Sequence, residues 1–394
     1  MTENYRHVYV VTEYVDGKLL PVSLEMIGEA RRLFDDFNKR YSSKEKVVAI
    51  ILGQNIKGES KKLIEYGADA VVCVDHPELK EMRNTIYTKV VAKICTDKEI
   101  AKQVEPEYAS EFKKPRYLFF AADSIGRHLS STVLVELKSG LASDINKLVI
   151  RDLEVTHQIK TAGKPVMYPK TLEMWRPDFS GFLWTTILCL DNRNNPTIQR
   201  EYSPQACSII AGAFQPIKPD SKRKGPIIEY TPTIDEKDLQ VKILSRTPVP
   251  SEVDFDSKKA VVGFGKGIKD GPEKNIKMIE EFAKELDAEI GITLPISKNV
   301  FSASQAVSST YMIPARVIGT SGRKISPMLY VACGISGAMQ HISGMEDSGF
   351  VVAINPDEGA MIKDQCDVFI KGRMEDVVPL LLEELKKTQK IVQA

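Results

Sequence analysis

Two glycine-rich turns, a pair of adjacent hydroxyls and one histidine carry most of the chemistry that the residues of this chain offer. Tyr330-Val-Ala-Cys-Gly-Ile-Ser-Gly-Ala-Met-Gln-His341 reads as a buried strand, a glycine turn and the start of a helix. Gly334 and Gly337 allow a tight turn and a close approach of the backbone to a ligand. Ser336 is placed to cap the helix that follows. A helix start of this kind presents free N–H groups and a positive dipole end to a phosphate. Gln340 and His341, behind Ala338 and Met339, lie where they can reach along a bound cofactor.

A second turn, Val261-Val-Gly-Phe-Gly-Lys-Gly267, follows a strand and precedes a helix bearing Ile276, Ile279, Phe282 and Leu286. Its glycines allow a pyrophosphate to approach, and Lys266 adds a cation. The spacing is GxGxG rather than GxGxxG, so the regular dinucleotide fingerprint is absent. Arg316-Val-Ile-Gly-Thr-Ser-Gly-Arg323 adds a further glycine turn, with hydroxyls on Thr320 and Ser321. Taken alone, that loop is an ordinary turn, and Asn355-Pro356 after Phe350–Ile354 is a simple turn signal. His341 is the only histidine beyond residue 251, and a lone histidine is more often structural than functional.

The elements that position these residues come in two groups. The chain has 394 residues, enough for two cores. Strand-like runs His7–Thr12, Lys46–Leu52, Ala68–Val74 and Tyr117–Ala121 alternate with amphipathic stretches. One such stretch carries Leu24, Ile27, Ala30 and Leu33 on one face. This alternation indicates a parallel α/β sheet. Six prolines between Gln215 and Asp256 break helix formation and place a linker near residues 246–256. Beyond it, strands are expected near 260, 290, 330, 351 and 367.

Composition excludes several classes. Apolar content is 43%, charged content 27% and net charge +1, which gives no reason to expect nucleic-acid or membrane-surface binding. Lys222-Arg223-Lys224 is a short basic run between prolines and reads as a solvated loop. No run of 18 apolar residues exists, so no direct membrane insertion is expected, and the opening residues lead to the expectation of no signal or transit segment. The six cysteines form no CxxC pair, which suits buried free thiols in a reducing, cytoplasmic setting and leaves no metal ligand set.

The motif Gly334–His341, GISGAMQH, closely resembles the GISGAIQH signature of the alpha subunit of electron transfer flavoproteins. The likeness extends over nearly the whole chain. Gly17–Glu25, Gly67-Ala-Asp, Asp75-His-Pro77, Tyr87-Thr-Lys89 and the Trp175–Gly181 turn recur in family order. The resemblance implies an α/β protein of two domains. The first, residues 1–250, would be a parallel-sheet α/β domain that binds no cofactor and contacts a beta subunit. The second, residues 251–394, would be a Rossmann-like domain that binds FAD.

In that family the cradle residues correspond to Ser336, Gly337, Ala338, Met339 and Gln340. His341 would contact the pyrimidine end of the flavin and help to stabilise its reduced anion. Ile318, Gly319, Thr320 and Ser321 match the VGQTG loop, where a hydroxyl at position 321 would bond the flavin N5. Asn355 matches a cofactor-contacting Asn. Four positions depart: Lys266 stands for an arginine, Thr320 for a glutamine, Leu294 for an arginine against the flavin, and Arg373 for an aspartate at the nucleotide end. Thr293 keeps the hydroxyl of the family's serine.

The function so implied is a FAD-carrying shuttle without catalytic residues of its own. Electrons would pass between NADH or a flavin dehydrogenase of acyl-CoA dehydrogenase type and another acceptor, with a quinone-reductase-type partner as one outlet. Two other readings remain: a subunit that has lost its flavin, suggested by Leu294 and Arg373, and a nicotinamide-dependent dehydrogenase using the Gly263–Gly267 turn.

Overall fold

The computed structural model describes residues 4–108, 111–178, 183–192, 200–245, 253–255, 257–298 and 302–393. The chain divides into two compact units, Met1–Pro177 with Trp184–Arg246 and Asp178–Leu183 with Thr247–Ala394. Most of the linker expected at 246–256 lies outside the described residues, as do Phe179, Ser180 and Gly181 of the Trp175 turn.

The first unit is built on strands β1 (Tyr5–Val11), β2 (Val47–Gly53), β3 (Ala70–Asp75) and β4 (Lys114–Ala121). All seven residues of β2 are buried, as a parallel strand covered on both faces requires. Helix α1 (Pro21–Tyr41) starts on a proline whose fixed φ suits the first helical turn, and it sets Ile27, Ala30, Phe34 and Phe37 against the sheet. Two further strands lie on the far side, β5 (Leu141–Ile145) and, later in the chain, one at Gln205–Ile209.

Between these two strands the chain makes a three-stranded sheet of β6 (Lys147–Thr156), β7 (Pro165–Asp178) and β8 (Leu183–Ile187), with β6 and β7 antiparallel. It buries Leu148, Ile150, Leu172 and Met174 and leaves charged residues outward. No strand was expected from the sequence in this stretch. With β9 (Gln205–Ile209) and β10 (Ile227–Glu229), the large sheet has the order β10-β3-β2-β1-β4-β9-β5, and its described pairs are parallel.

In the second unit, β11 (Ala260–Phe264) is wholly buried. Gly271, at φ +113°, takes a turn open to glycine before α2 (Pro272–Glu285), which buries Ile276, Ile279 and Phe282. The strands β12 (Ala288–Ile292), β13 (Leu329–Cys333), β14 (Val351–Asn355) and β15 (Val368–Lys371) follow, each within a few residues of its expected position. The order is β12-β11-β13-β14-β15, all parallel. From β11 the chain moves to one side and then returns to the other. The carboxyl ends of β11 and β13 therefore flank the topological switch point, where open α/β sheets bind ligands.

Candidate functional site

Both glycine turns lie at this switch point, and they close on each other. Gly267 N–H donates to Gly334 O at 3.1 Å, and Gly265 N–H to Cys333 O at 3.1 Å. A Cβ on Gly267 would lie 2.6 Å from Gly334 Cα, and one on Gly265 would lie 2.7 Å from Gly334 O. The glycines expected to admit a pyrophosphate therefore admit the neighbouring loop. Gly337 is similar: at φ +81°, its Cβ would meet Ile362 N at 2.2 Å. Its missing side chain makes room for the protein's own backbone.

The helix expected after Gly337 is a single turn, α3 (Met339–Ile342), capped by Ala338 without a side-chain bond. Ser336 is not its cap; its carbonyl instead accepts the Ile362 N–H at 3.2 Å. A four-residue helix has little dipole, so the anion-binding potential of this segment rests on individual N–H groups. Those of Ser336, Gly337, Ala338, Met339 and Gln340 find no acceptor among the described residues. Backbone donors are normally paired when a segment is packed, so five in a row form a place for an acceptor-rich ligand.

The loop after Arg316 is fastened to this row. Thr320 N–H donates to Gln340 O at 2.8 Å, and Ile325 N–H to Gly344 O at 2.8 Å. Gly319 sits so close that a Cβ would be 2.3 Å from Gln340 O. Thr320, Ser321, Ser336, Ala338, Gln340 and Lys266 are exposed, while Thr293, Leu294 and Met339 are half-buried. Ile318 is 1% exposed and fills the space above Gly291, so its side chain belongs to the core rather than the site.

His341, expected at the pyrimidine end of the flavin, is held by the protein on both sides of its ring. It is 4% exposed, and both ring nitrogens have protein partners. Nδ1 lies 3.0 Å from Ile318 O, and Nε2 lies 2.8 Å from the Tyr330 hydroxyl. A carbonyl only accepts, so Nδ1 carries the proton and Tyr330 donates to Nε2. Burial pushes the imidazole down to about 4, against a smaller upward effect of the Ile318 carbonyl, so the ring is neutral at pH 7. Tyr330 reaches this position over Gly263, where a Cβ would be 1.9 Å from its hydroxyl oxygen. In the sequence Tyr330 stands only as a buried strand residue; the glycine inside the wholly apolar neighbouring strand is the signal of its role.

Asn355 is likewise spent on the protein. Its Nδ2 donates to Ile335 O at 2.7 Å and its Oδ1 accepts the Asp357 N–H at 2.9 Å. It holds the cradle segment in place. Arg316 is buried on Glu289, at 2.7 Å, and on the carbonyls of Ile290 and Thr310. Burial alone would raise the Glu289 carboxyl, but the Ile290 N–H and the Arg316 guanidinium outweigh it and hold it low. Arg373 is exposed and pairs with Asp270 and Glu375. Leu294 starts the turn after β12 and packs against the α2 side of the core, so it supplies no charge.

Among the described residues no cluster of His, Cys, Asp or Glu is set to hold a metal ion, and no helix is long and apolar enough to cross a membrane. The site offers a row of main-chain donors, two adjacent hydroxyls and the Lys266 ammonium at the carboxyl edge of one sheet. Those groups fit a ligand with a pyrophosphate and a carbonyl-bearing ring, as FAD has.

Residues 254–346 match the family described as the electron transfer flavoprotein FAD-binding domain, and residues 8–165 match the electron transfer flavoprotein domain. The chain is 32% identical to an electron transfer flavoprotein subunit alpha of Thermoanaerobacterium thermosaccharolyticum, over 98% of this chain and 99% of that one. A protein FixB of Clostridium saccharobutylicum is 31% identical, over 98% and 97%. An acryloyl-CoA reductase electron transfer subunit beta of Anaerotignum propionicum is 28% identical, over 98% and 96%. With its two glycine turns joined at the switch point of a FAD-binding domain, this chain belongs to the electron transfer flavoprotein alpha-subunit family.

Proposed function

We propose that residues 251–394 hold FAD and that residues 1–250 contact a beta subunit, the two chains forming one electron carrier. The electrons come from a flavin dehydrogenase or from NADH and leave to a second protein acceptor in the same, cytoplasmic compartment. The observation that carries this reading is the row of unpartnered N–H groups from Ser336 to Gln340, fastened to Thr320 by the bond to Gln340 O.

When bound, FAD supplies the acceptance and release of electrons, and the chain supplies its position and surroundings. The N–H groups of residues 336–340 and Lys266 hold the pyrophosphate. Thr320, Ser321 and Thr293 offer hydroxyls to the ring system, and Met339 and Leu294 give it apolar contact. Neutral His341 and Asn355 act one step back, by fixing Ile318 and Ile335 and so the two loops.

Coexpression with a beta subunit followed by an absorption spectrum and cofactor extraction tests this reading. One FAD per particle that is lost on Lys266→Glu combined with Ser321→Ala supports it. A particle that assembles without flavin overturns the assignment of FAD to this site.

A further inference from the structure

The loop after β11 is held from two sides. On one side Gly265 and Gly267 bond to the turn after β13. On the other lies the last helix, α4 (Met374–Gln393), which follows β15 and shares a core with α2 through Ile276, Ile279, Met374 and Val378. Asn275, in the first turn of α2, is 1% exposed. Its Nδ2 donates to Ile268 O at 3.2 Å and to Glu375 Oε1 at 3.1 Å. Arg373 donates to the same Oε1 at 3.4 Å and to Asp270 Oδ2 at 3.2 Å. The bonds run from Ile268 through Asn275, Glu375 and Arg373 to Asp270, so they close on the loop where they began.

Arg373 is the member of this circuit whose backbone is fixed elsewhere. Its carbonyl accepts the N–H groups of Asp376 and Val377 at 3.1 Å, and Gly372 before it donates to Asn355 O at 3.3 Å. Asn355 in turn holds Ile335 O of the cradle segment. The loop that carries Lys266 is thereby tied to the same frame as the row of N–H groups. Burial alone would raise the Glu375 carboxyl, but its own N–H, then Arg373 and Asn275, outweigh it and hold it low. Two carboxylates thus share one guanidinium, and neither has another ion-pair partner among the described residues. An aspartate at 373, the family's residue, would set three acids side by side, and like charges repel.

Exposed ion pairs contribute little to folding stability, so this circuit bears on where the loop is held rather than on whether the chain folds. We propose that Arg373 is a positioning residue for the cofactor: through Asp270 and Glu375 it holds the Lys266–Asp270 loop against the N–H row that receives the pyrophosphate, and it makes no contact with the nucleotide itself. The departure at 373 is then a change of role, from touching the ligand to bracing the loop that does. This rests on the reading of residues 251–394 as the FAD site.

A charge swap tests this. FAD is titrated by fluorescence into flavin-depleted two-subunit particles of wild type, Arg373→Asp, and Arg373→Asp combined with Asp270→Arg. The single variant is expected to bind FAD at least about threefold more weakly, and the double, which restores the opposite-charge pair, to return to within about twofold of wild type. A single variant that binds as wild type overturns the proposal. A double variant as weak as the single also overturns it, because a guanidinium at 373 is then needed for its own contact with the nucleotide. Amide hydrogen exchange of residues 266–271 without flavin is the second measurement, and it needs only the single variant should the double fail to assemble. Faster exchange in Arg373→Asp supports the bracing role, and unchanged exchange overturns it. A wild-type particle that takes up no FAD overturns both this role and the FAD assignment, whereas equal binding by all three forms overturns this role alone.

Discussion

The hydroxyl of Tyr330 lies 2.8 Å from Nε2 of His341, eleven residues further along the chain. Both groups are buried, and the bond ties the strand β13 to the turn that follows it. Because Ile318 O takes the other ring nitrogen, one imidazole holds three segments of the site together. Tyr330→Phe leaves Nε2 buried without a donor, which costs roughly 1–3 kcal/mol. A lower melting temperature and weaker FAD retention are expected. An unchanged melting temperature would show that the bond contributes nothing.

The same histidine makes stability depend on pH. Its folded value of about 4 lies below the ordinary 6.5, so the unfolded chain binds the extra proton first. Stability from this group is complete above about pH 6.5 and falls as the pH drops toward 4, by up to roughly 3 kcal/mol. Urea unfolding of wild type and His341→Gln between pH 7 and pH 4 checks this. A flatter dependence is expected in the variant, and equal slopes would contradict the assignment.

Asn355 offers a cleaner separation of loop placement from folding. Asn355→Leu removes the bond to Ile335 O and leaves that carbonyl without it. A loss of FAD affinity of about 10- to 100-fold is expected, by analogy with other residues that orient a binding group. Fluorescence titration of the flavin-depleted particle measures it. Wild-type affinity would place the Ile335–Ala338 segment outside the cofactor site.

Strand positions were legible because parallel strands leave unbroken apolar runs such as Ala260–Phe264 and Tyr330–Cys333. The GISGAMQH motif was legible for its wording. What escaped was the partner of each group. Nothing local to Gly337 announces Ile362, and nothing near Gly267 announces Gly334, because these approaches are made by tertiary packing. The short helix Met339–Ile342 was also hidden, since four residues carry no periodicity. The antiparallel pair Lys147–Thr156 and Pro165–Asp178 shows no regular alternation and includes Pro165, Pro169 and Pro177, and its apolar residues Leu148, Ile150, Leu172 and Met174 find a core only after folding.

That difference changes what a glycine variant reports. Gly337→Val places a branched side chain at φ +81° and against Ile362 N. Strain of this kind costs on the order of 1–3 kcal/mol from the backbone, and overpacking adds a similar amount. The flavin-free chain itself is therefore expected to be destabilised. Its unfolding midpoint in urea should fall before any cofactor is added. If only flavin binding falls, Gly337 faces the ligand and the contact with Ile362 yields easily.

Leu294 is the departure with the largest electrical consequence. It opens the turn after β12, where Thr293 N–H is bonded to Phe264 O at 3.1 Å, on the same carboxyl edge as the two glycine loops. The buried cation nearest in sequence, Arg316, is already committed to Glu289 and to two carbonyls, so it does not stand in for a charge at 294. Lys266 and Lys298 are exposed and screened by solvent. At an effective dielectric near 20, unit charges about 4 Å apart attract by about 4 kcal/mol, and partial exposure reduces this to roughly 2. Since about 1.4 kcal/mol corresponds to about 59 mV for one electron, Leu294→Arg is expected to raise the first reduction potential of bound FAD by on the order of 90 mV. Half-burial of Leu294 leaves room for the arginine stem along the core with its head outward. Spectroelectrochemical titration of wild type and variant measures the shift. A shift near zero or downward would mean that position 294 does not face the ring system, or that Lys266 already neutralises it.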